Sequence, residues 1–338
     1  MENTKTSAFR CAINRIHQRR QGLLQLVLVV SLGRFLSALA FMCIDAVYQG
    51  RSWAQFNFDF NLSGHVAVGA TAISLMVLVI ELYLVGWERS SIKKLLAYGT
   101  SSQRQDVFYT VLYLTNILTL VGHIMSLGAG YMLHAYIQEQ YSASLFGDAG
   151  IWVSVGFLWL IGPLLFYFYH RIQHTAFFWE FHKIHHAASE MTILNNFRNH
   201  PLTASFREAI NFLPMIILGV DPIAILIYRG TAGFVTLWQH SNYYEPLPWV
   251  EKYLFIGARG HLIHHSIDEK HLNTNMGFVV FWDWLFGTLN NNYTDKITVG
   301  LSDEPNFNTL TPAKEVFSTY ILGLKSFYRE VSSVFSSQ

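Results

Sequence analysis

The stretch FYFYHRIQHTAFFWEFHKIHH, from Phe166 to His186, places five histidines within seventeen positions at the end of an apolar segment. These histidines are His170, His174, His182, His185 and His186. The chain just upstream is apolar enough to cross a membrane, whereas imidazole is the commonest metal ligand among side chains. The sequence therefore predicts a polar, metal-binding site at the end of a membrane-spanning helix.

The composition of the chain indicates that lipid is the solvent of much of it. Of its 338 residues, 51% are hydrophobic and only 13% are charged, whereas soluble domains carry about 25% charged residues. The net charge of +1 gives no electrostatic reason to expect nucleic acid as a partner. Cys11 and Cys43 lie at opposite ends of the first apolar segment and outside any CxxC motif, so we assign them no role. That segment is long and follows a basic leader, which predicts a retained anchor rather than a cleaved signal.

Four apolar stretches have the roughly 20 residues that a helix needs to cross the hydrocarbon core. They are 23–47, 65–87, 107–133 and 150–169. The leader 1–20 and the loop 88–106 are rich in Lys and Arg, whereas the loops that alternate with them contain only Arg51. Because positively charged loops stay in the cytoplasm, we expect the N-terminus and the loop 88–106 on that side. The fourth crossing then delivers His170 to the cytoplasmic face.

The apolar stretch 204–238 is interrupted by the sequence GVDP, Gly219–Pro222. Each half is about 14 to 16 residues long, or roughly 21–24 Å of helix, which is shorter than the roughly 30 Å core. Proline and the residue before it end a helix, so we predict a re-entrant hairpin that returns to the side it left. The alternative is one long tilted span, which would place His240 across the membrane from His170.

Eleven of the fifteen histidines fall between His170 and His271. They include an H-x3-H pair, His170 and His174, and two H-x2-H-H groups, His182, His185, His186 and His261, His264, His265. Residues three and four apart share one face of a helix, so each group can direct two or three ring nitrogens at one point. Seven to nine such ligands exceed what one ion can hold, which predicts two metal ions of a kind that imidazole suits, such as iron, zinc or copper.

The remaining four histidines stand alone: His17, His65, His123 and His134. A lone histidine is more often a surface or core residue than a ligand, so we assign these four no metal. The predicted site also differs from carboxylate-bridged di-iron bundles, which need Glu and Glu-x-x-His motifs. Glu180 and Glu190, the only carboxylates within the first cluster, lack that spacing.

The histidine boxes resemble those of the fatty acid hydroxylase/sterol desaturase superfamily of integral membrane oxygenases. The resemblance extends to RNHP (Arg198–Pro201), WQHSN (Trp238–Asn242) and NTNMGFVVFWDWLFGT (Asn273–Thr288), which is similar to the closing signature of that family. It covers residues 160–289, under half of the chain. The sequence departs from the family at Pro163, where many relatives carry an acidic residue that could bond to a ligand histidine.

The resemblance implies that nine histidines ligate a di-iron centre on the cytosolic side. They are His170, His174, His182, His185, His186, His240, His261, His264 and His265. His200, in the Arg-x-His-Pro motif, and His271 are weaker candidates, and each is as readily a structural residue or a neighbour of a ligand. Zinc is an alternative occupant, because it binds histidine equally well and can replace iron on purification.

These patterns together predict an all-α integral membrane protein with about four transmembrane helices, a re-entrant helical hairpin and a cytosolic histidine-rich helical cap that holds the two metals. We expect an N-terminal transmembrane region at 1–149, a catalytic domain at 150–289 and a C-terminal tail at 290–338. The tail either caps the domain or lies on the membrane. The predicted membrane is the bacterial inner membrane or the endoplasmic reticulum.

The predicted function is that of an oxygenase that uses O2 to hydroxylate or desaturate a lipid, such as a sterol or a fatty acyl or alkyl lipid; the family also supports ether-lipid cleavage. Oxidising an unactivated C–H bond requires an oxygen-activating metal, because no side chain has that reactivity. The sequence has no Rossmann glycine fingerprint, CxxCH motif or cysteine set for an iron–sulfur cluster. Electrons must then come from a separate protein, such as a cytochrome b5- or ferredoxin-type donor.

Two other functions fit a histidine-rich membrane protein. One is metal binding or transport, for which the site should lie near the midplane with polar residues continuing across the bilayer. The other is a structural zinc site, which is usually closed by four ligands. The aromatic residues of the opening stretch also have two interpretations, since they either line an apolar route to the metals or anchor helix ends at the membrane interface.

Overall fold

The computed structural model describes residues 60–97, 100–126, 136, 140, 149–220, 222–292, 297–304 and 307–336, and most of them form helices. The basic leader, both cysteines and the predicted span 23–47 lie outside these residues. The first helices are α1 (Phe60–Arg89), α2 (Ser91–Ala97), α3 (Ser101–Leu114), α4 (Ile117–Met125), α5 (Ile151–Gln173) and α6 (Ala176–His186). They are followed by α7 (Pro201–Leu218), α8 (Pro222–Gln239), α9 (Pro248–Tyr253), α10 (Ala258–His264), α11 (Val280–Leu285) and α12 (Pro312–Ser336). Pairing of extended backbone in the described residues is limited to two isolated bridges, Phe255 with Val279 and Ser266 with Val299.

Two of these helices are long and apolar enough to cross a membrane. They are residues Thr71–Arg89 of α1 and the whole of α5, Ile151–Gln173. They correspond to the second and fourth predicted spans and indicate a membrane protein by their length and composition. The orientation of the spans stays a prediction.

The third predicted span, 107–133, is not a continuous helix where the structure describes it. Helix α3 ends at Leu114, and Asn116 adopts a left-handed conformation (φ 58°) before α4 begins at Ile117. Asparagine is one of the few residues that adopt this conformation readily, so the Thr115–Asn116 pair interrupts the apolar run. Four spans are therefore not confirmed.

The apolar stretch 204–238 forms two helices, as the GVDP interruption predicts. Pro201 and Pro222 occupy the first positions of α7 and α8, where the missing N–H is not needed. Gly219 follows the end of α7 with a φ of 66°, which a residue with a side chain rarely adopts. The stretch therefore consists of two helices that separate at Gly219, and the re-entrant hairpin stays a prediction.

Close helix crossings hold the helices that carry the histidine boxes. A Cβ atom at Gly162 of α5 would lie 2.2 Å from the hydroxyl of Tyr228, so this glycine lets α8 approach α5. A Cβ atom at Gly323 of α12 would likewise lie 2.3 Å from the ring of Phe181 on α6. The tail helix α12 thus packs against the helix that carries the second histidine box.

Candidate metal centre

Nine histidines converge around the C-terminal ends of α5, α6, α8 and α10. The first group consists of His170, His174, His182, His186 and His264, and the second group consists of His185, His240, His261 and His265. Within each group, one ring nitrogen from every member lies within 4.8 Å of all the others. The structure thus brings together all nine of the principal ligands that the resemblance implies, and their binding of metal stays a prediction.

Each H-x2-H-H box divides between the two groups. On α6, His182 and His186 are four residues apart and reach the first group, whereas His185 reaches the second. At the end of α10 the arrangement is reversed, since His264 joins the first group and the other two histidines of that box join the second. Each box therefore contributes histidines to both groups rather than to one.

The Nε2 atoms within each group lie at distances that suit a shared ion. In the first group, the Nε2 of His182 lies 3.0 Å from that of His170. In the second, the Nε2 of His261 lies 3.1 Å from those of His240 and His265. Two nitrogens about 2.1 Å from one ion, at roughly 90–110° to each other, are about 3.0–3.4 Å apart. The geometry fits one metal ion in each group.

The chemistry of the donors also fits a metal that imidazole suits. Both groups consist of histidine alone. The Nε2 atoms of His174 and His264 are buried and have no hydrogen-bond partner among the described residues. Burial, reinforced by repulsion from neighbouring rings, lowers the pKa of His174, His182, His185, His186, His261, His264 and His265 well below the usual value for histidine. The rings are therefore neutral, as metal ligands must be.

Backbone carbonyls orient four of the nine rings. The acceptors are Met276 for His170 (2.6 Å), Thr274 for His264 (2.8 Å), Thr236 for His240 (2.8 Å) and Arg198 for His185 (3.3 Å). Because a carbonyl oxygen only accepts, the Nδ1 atom of each ring carries the proton and donates it. The Nε2 atom is left as the free electron-pair donor that a metal requires.

The carbonyl that orients His185 belongs to a fully buried arginine, Arg198 of the RNHP motif. Its guanidinium donates to the side chain of Asn308 (2.7 Å) and lies 3.4 Å from a carboxylate oxygen of Asp106 and 3.6 Å from one of Glu315. Burial raises the pKa of Asp106 to about 6 and that of Glu315 to about 7, although Arg198 opposes both shifts. This network connects α3 and α12 to the segment after the second histidine box.

A carboxylate in a predicted span holds the segment that follows His240. Glu81, fully buried in α1, accepts hydrogen bonds from the backbone and hydroxyl of Ser91, at 2.9 and 2.8 Å. It also accepts from the backbone (2.7 Å) and side chain (3.0 Å) of Asn242. The sequence offered a signal for this contact, because an ionisable residue within a span marks a functional or structural site.

The carboxylate of the closing signature, Asp283 on α11, fixes the loop that orients His170. It accepts hydrogen bonds from the backbone of Met276 (2.6 Å) and Gly277 (2.8 Å) and from the hydroxyl of Thr288 (2.7 Å). Met276 in turn provides the carbonyl that accepts from His170. The sequence has Pro163 where the resemblance led us to expect an acidic residue, and carboxylates from other elements support the histidine-bearing segments.

The two weaker candidates lie outside both groups. His200 is buried; its Nε2 donates to the carbonyl of Val316 (3.3 Å), and its Nδ1 accepts from the backbone of Leu202 (3.1 Å). Burial lowers its pKa to about 4. His271 is buried as well, and neither ring nitrogen has a partner among the described residues. The ring of His200 thus bonds to backbone groups, and whether either residue binds a metal stays a prediction.

A cavity of about 360 Å³ opens on both histidine groups. His170 and His182 of the first group and His185, His240 and His261 of the second line it. Two aromatic residues of the opening stretch, Phe166 and Tyr169, also line it, whereas Phe168 is 44% exposed. The first interpretation of the aromatic residues thus finds members in the structure, and the anchoring of helix ends at a membrane interface stays a prediction. The cavity gives a small apolar ligand access to the nitrogens of both groups.

The chain is similar to enzymes that modify lipids. Residues 155–288 match the family model described as fatty acid hydroxylase. The ornithine lipid hydroxylase OlsE of Rhizobium tropici is 32% identical over 131 residues, 37% of this chain and 38% of that protein. The very-long-chain aldehyde decarbonylase GL1-7 of Oryza sativa subsp. japonica is 26% identical over 230 residues, 63% of this chain and 35% of that protein. The resemblance to the fatty acid hydroxylase/sterol desaturase superfamily is confirmed.

The extent of this similarity is limited to part of each protein. The chain spans 38% of the length of the first relative and 35% of that of the second. A third relative, the aldehyde decarbonylase GL1-8 of Oryza sativa subsp. indica, is 24% identical over 139 residues, 40% of this chain and 51% of that protein. No solved structure matches the chain.

Proposed function

We propose that this chain, which carries a fatty acid hydroxylase domain at residues 155–288, is an O2-dependent membrane oxygenase that hydroxylates or desaturates a lipid through a histidine-ligated di-iron centre. The observation that carries the proposal is the pair of all-histidine groups, which open together on one cavity. Lipid-modifying relatives support the class of substrate.

In this proposal the first group holds one iron and the second group holds the other. When bound, the two irons would supply the oxygen activation that an unactivated C–H bond requires. The side chains of the protein perform the remaining tasks. Phe166, Leu226 and Phe278 line the cavity and bind the apolar part of the substrate. The backbone carbonyls hold the Nδ1 protons of the oriented rings, so that the Nε2 atoms stay directed inward.

Access from the bilayer follows from the position of the first box. His170 lies in the last turn of α5, a helix with the length and composition of a membrane span. A lipid in the bilayer would reach the cavity laterally near the end of this helix. We place this end on the cytosolic side, where a separate cytochrome b5- or ferredoxin-type protein would deliver electrons.

Hydroxylation has more support than the other outcomes. The relative whose printed name is ornithine lipid hydroxylase shares 32% identity, compared with 26% for the aldehyde decarbonylase. A metal-transport function has less support, because these relatives act on lipids and because apolar residues such as Ile73, Phe197 and Leu237 line the cavity.

Lipid profiling of cells with and without this gene tests the proposal. We expect a lipid that gains one oxygen atom, or loses two hydrogen atoms, only in cells that express the chain. The His185→Ala variant, expressed at the same level, should leave the lipid unmodified. Lipid profiles that are identical in all three strains, with two equivalents of iron in the purified protein, would overturn the oxygenase function.

A further inference from the structure

The cavity that opens on the histidine groups also carries charged residues. Among its described lining residues, three have a formal charge: Arg207 and Glu208 on α7 and Arg229 on α8. The carboxylate of Glu208 lies 2.8 and 3.0 Å from the guanidinium of Arg229. This ion pair neutralises one cation and leaves the lining with a net positive charge.

The remaining cation, Arg207, lies beside an electron-rich ring, and no carboxylate of the described residues lies within 4.0 Å of its guanidinium. Its guanidinium carbon lies 5.5 Å from the ring centroid of Tyr113, which also lines the cavity. Asn211, one turn further along α7, lies on the same face and also lines the cavity. The two side chains place amide and guanidinium donors along one wall. A partly buried cation loses part of its hydration, so the binding of an anion beside it is favourable.

The charged residues of the cavity and the histidines are separated along the axis of α8. Arg229 precedes His240 by 11 residues along α8 and the residue after it, a rise of about 16 Å. Apolar residues of the same helix, including Leu226 and Ala232, line the cavity as well. A ligand that contacts both ends must therefore carry a polar group and a separate apolar segment.

We infer that Arg207 and Asn211 form an anion subsite that binds the carboxylate or phosphate of an amphiphilic substrate, whose apolar segment extends toward the histidine groups. The planar guanidinium recognises both oxyanions through paired hydrogen bonds. The inference deepens the proposed function by selecting anionic amphiphiles over sterols and other neutral lipids, and it rests on that function only for the reaction, not for the binding.

Binding of matched probes tests the subsite. The full chain, purified in a non-ionic detergent, is offered dodecanoate, dodecyl phosphate and 1-dodecanol, which share one alkyl chain, and native mass spectrometry measures the fraction bound. We expect at least one of the two anions to bind about tenfold more tightly than the alcohol. The Arg207→Gln variant should lose that preference and bind the alcohol as the wild type does. Arg329→Gln, an exposed arginine on α12, is the matched control and should keep the preference.

The outcomes separate the subsite from the reaction. Equal binding of all three probes to the wild type, or an unchanged preference in Arg207→Gln, would overturn the subsite even if lipid oxidation is observed. A strong preference that Arg207→Gln removes would support the subsite even if no lipid is oxidised, in which case only the oxygenase function fails. Binding of dodecanoate alone identifies a carboxylate ligand, and binding of dodecyl phosphate alone identifies a phosphate ligand.

Discussion

His182 and His185 lie one turn apart on the same helix, with ring centroids separated by 5.3 Å, yet they belong to different histidine groups. His261 and His264 repeat the relationship at the end of α10, with centroids 5.2 Å apart and rings inclined by 16°. The two boxes therefore interleave. Loss of one histidine from a box should empty one group while the other keeps all its members.

The interleaving predicts the metal content of single-histidine variants. Wild-type protein purified under iron-replete conditions should approach two equivalents of metal. The His185→Ala variant removes one of the four members of the second group, and we expect about one equivalent to be lost together with lipid oxidation. Elemental analysis measures the metal. The His65→Ala variant, which lies outside every histidine box of the sequence, should retain both equivalents. Retention of two equivalents by His185→Ala would contradict the assignment of this residue.

The side of the membrane that each loop occupies can be measured by cysteine labelling. In a chain without Cys11 and Cys43, single cysteines at Ser101 and Ser189 should react with an impermeant reagent from the cytoplasmic side. A cysteine at Ser142 should react from the opposite side, because the alternation of basic and uncharged loops places it there. Labelling of Ser189 from the same side as Ser142 would show that the predicted crossing between them is wrong.

Replacement of Glu81 by Gln should weaken the second group through Asn242. The Glu81 carboxylate accepts four hydrogen bonds, two from Ser91 and two from Asn242. The side-chain amide of glutamine can accept only through its oxygen, because its nitrogen is a donor. Each unsatisfied buried donor costs about 1–3 kcal/mol. We therefore expect a lower denaturation midpoint and partial loss of metal from the group that contains His240. Glu88→Gln, an exposed glutamate on the same helix, is the matched control. Equal midpoints and metal contents for the two variants would remove Glu81 from the support of the site.

The buried carboxyl of Glu315 predicts how stability depends on pH. Because burial raises its pKa from 4.5 to about 7 in the folded state, the folded protein binds this proton more tightly than the unfolded chain does. The bound proton therefore adds at most about 3 kcal/mol to the free energy of unfolding, and this contribution is fully present below about pH 4.5. It is lost as the pH rises toward 7.

Denaturation midpoints measured in detergent from pH 5 to 8 check this dependence. The Glu315→Gln variant cannot titrate at this position, so its midpoint should fall less steeply over the range. Glu330→Gln, at an exposed position of the same helix, is the control for a change in net charge. A slope in Glu315→Gln equal to that of the wild type would assign the pH dependence to other groups.

Local spacing determined the parts of the site that the sequence predicts. Two positions three or four residues apart on a helix share a face whatever surrounds them, so the H-x3-H and H-x2-H-H boxes identified the histidines that converge. The break at GVDP is equally local, because proline restricts the backbone of its neighbour. The end of α5 close to the first box follows from the length of its apolar run.

Tertiary packing decided what the spacing leaves open. A box of three histidines on one face can direct all its nitrogens to one ion or divide them between two, and only the crossing of α5, α6, α8 and α10 places His185 and His264 in opposite groups. Asp106, which pairs with Arg198, and Asn242, which bonds to Glu81, lie about 90 and 160 residues away in the chain, so no local pattern reveals these contacts. The break at Asn116 was also not predicted from the sequence, because the length of an apolar run does not reveal the backbone conformation of a single residue within it. Sequence spacing thus identified the histidines that converge. Long-range contacts, whose energies depend on which distant segments meet, decided how these histidines divide between the two groups.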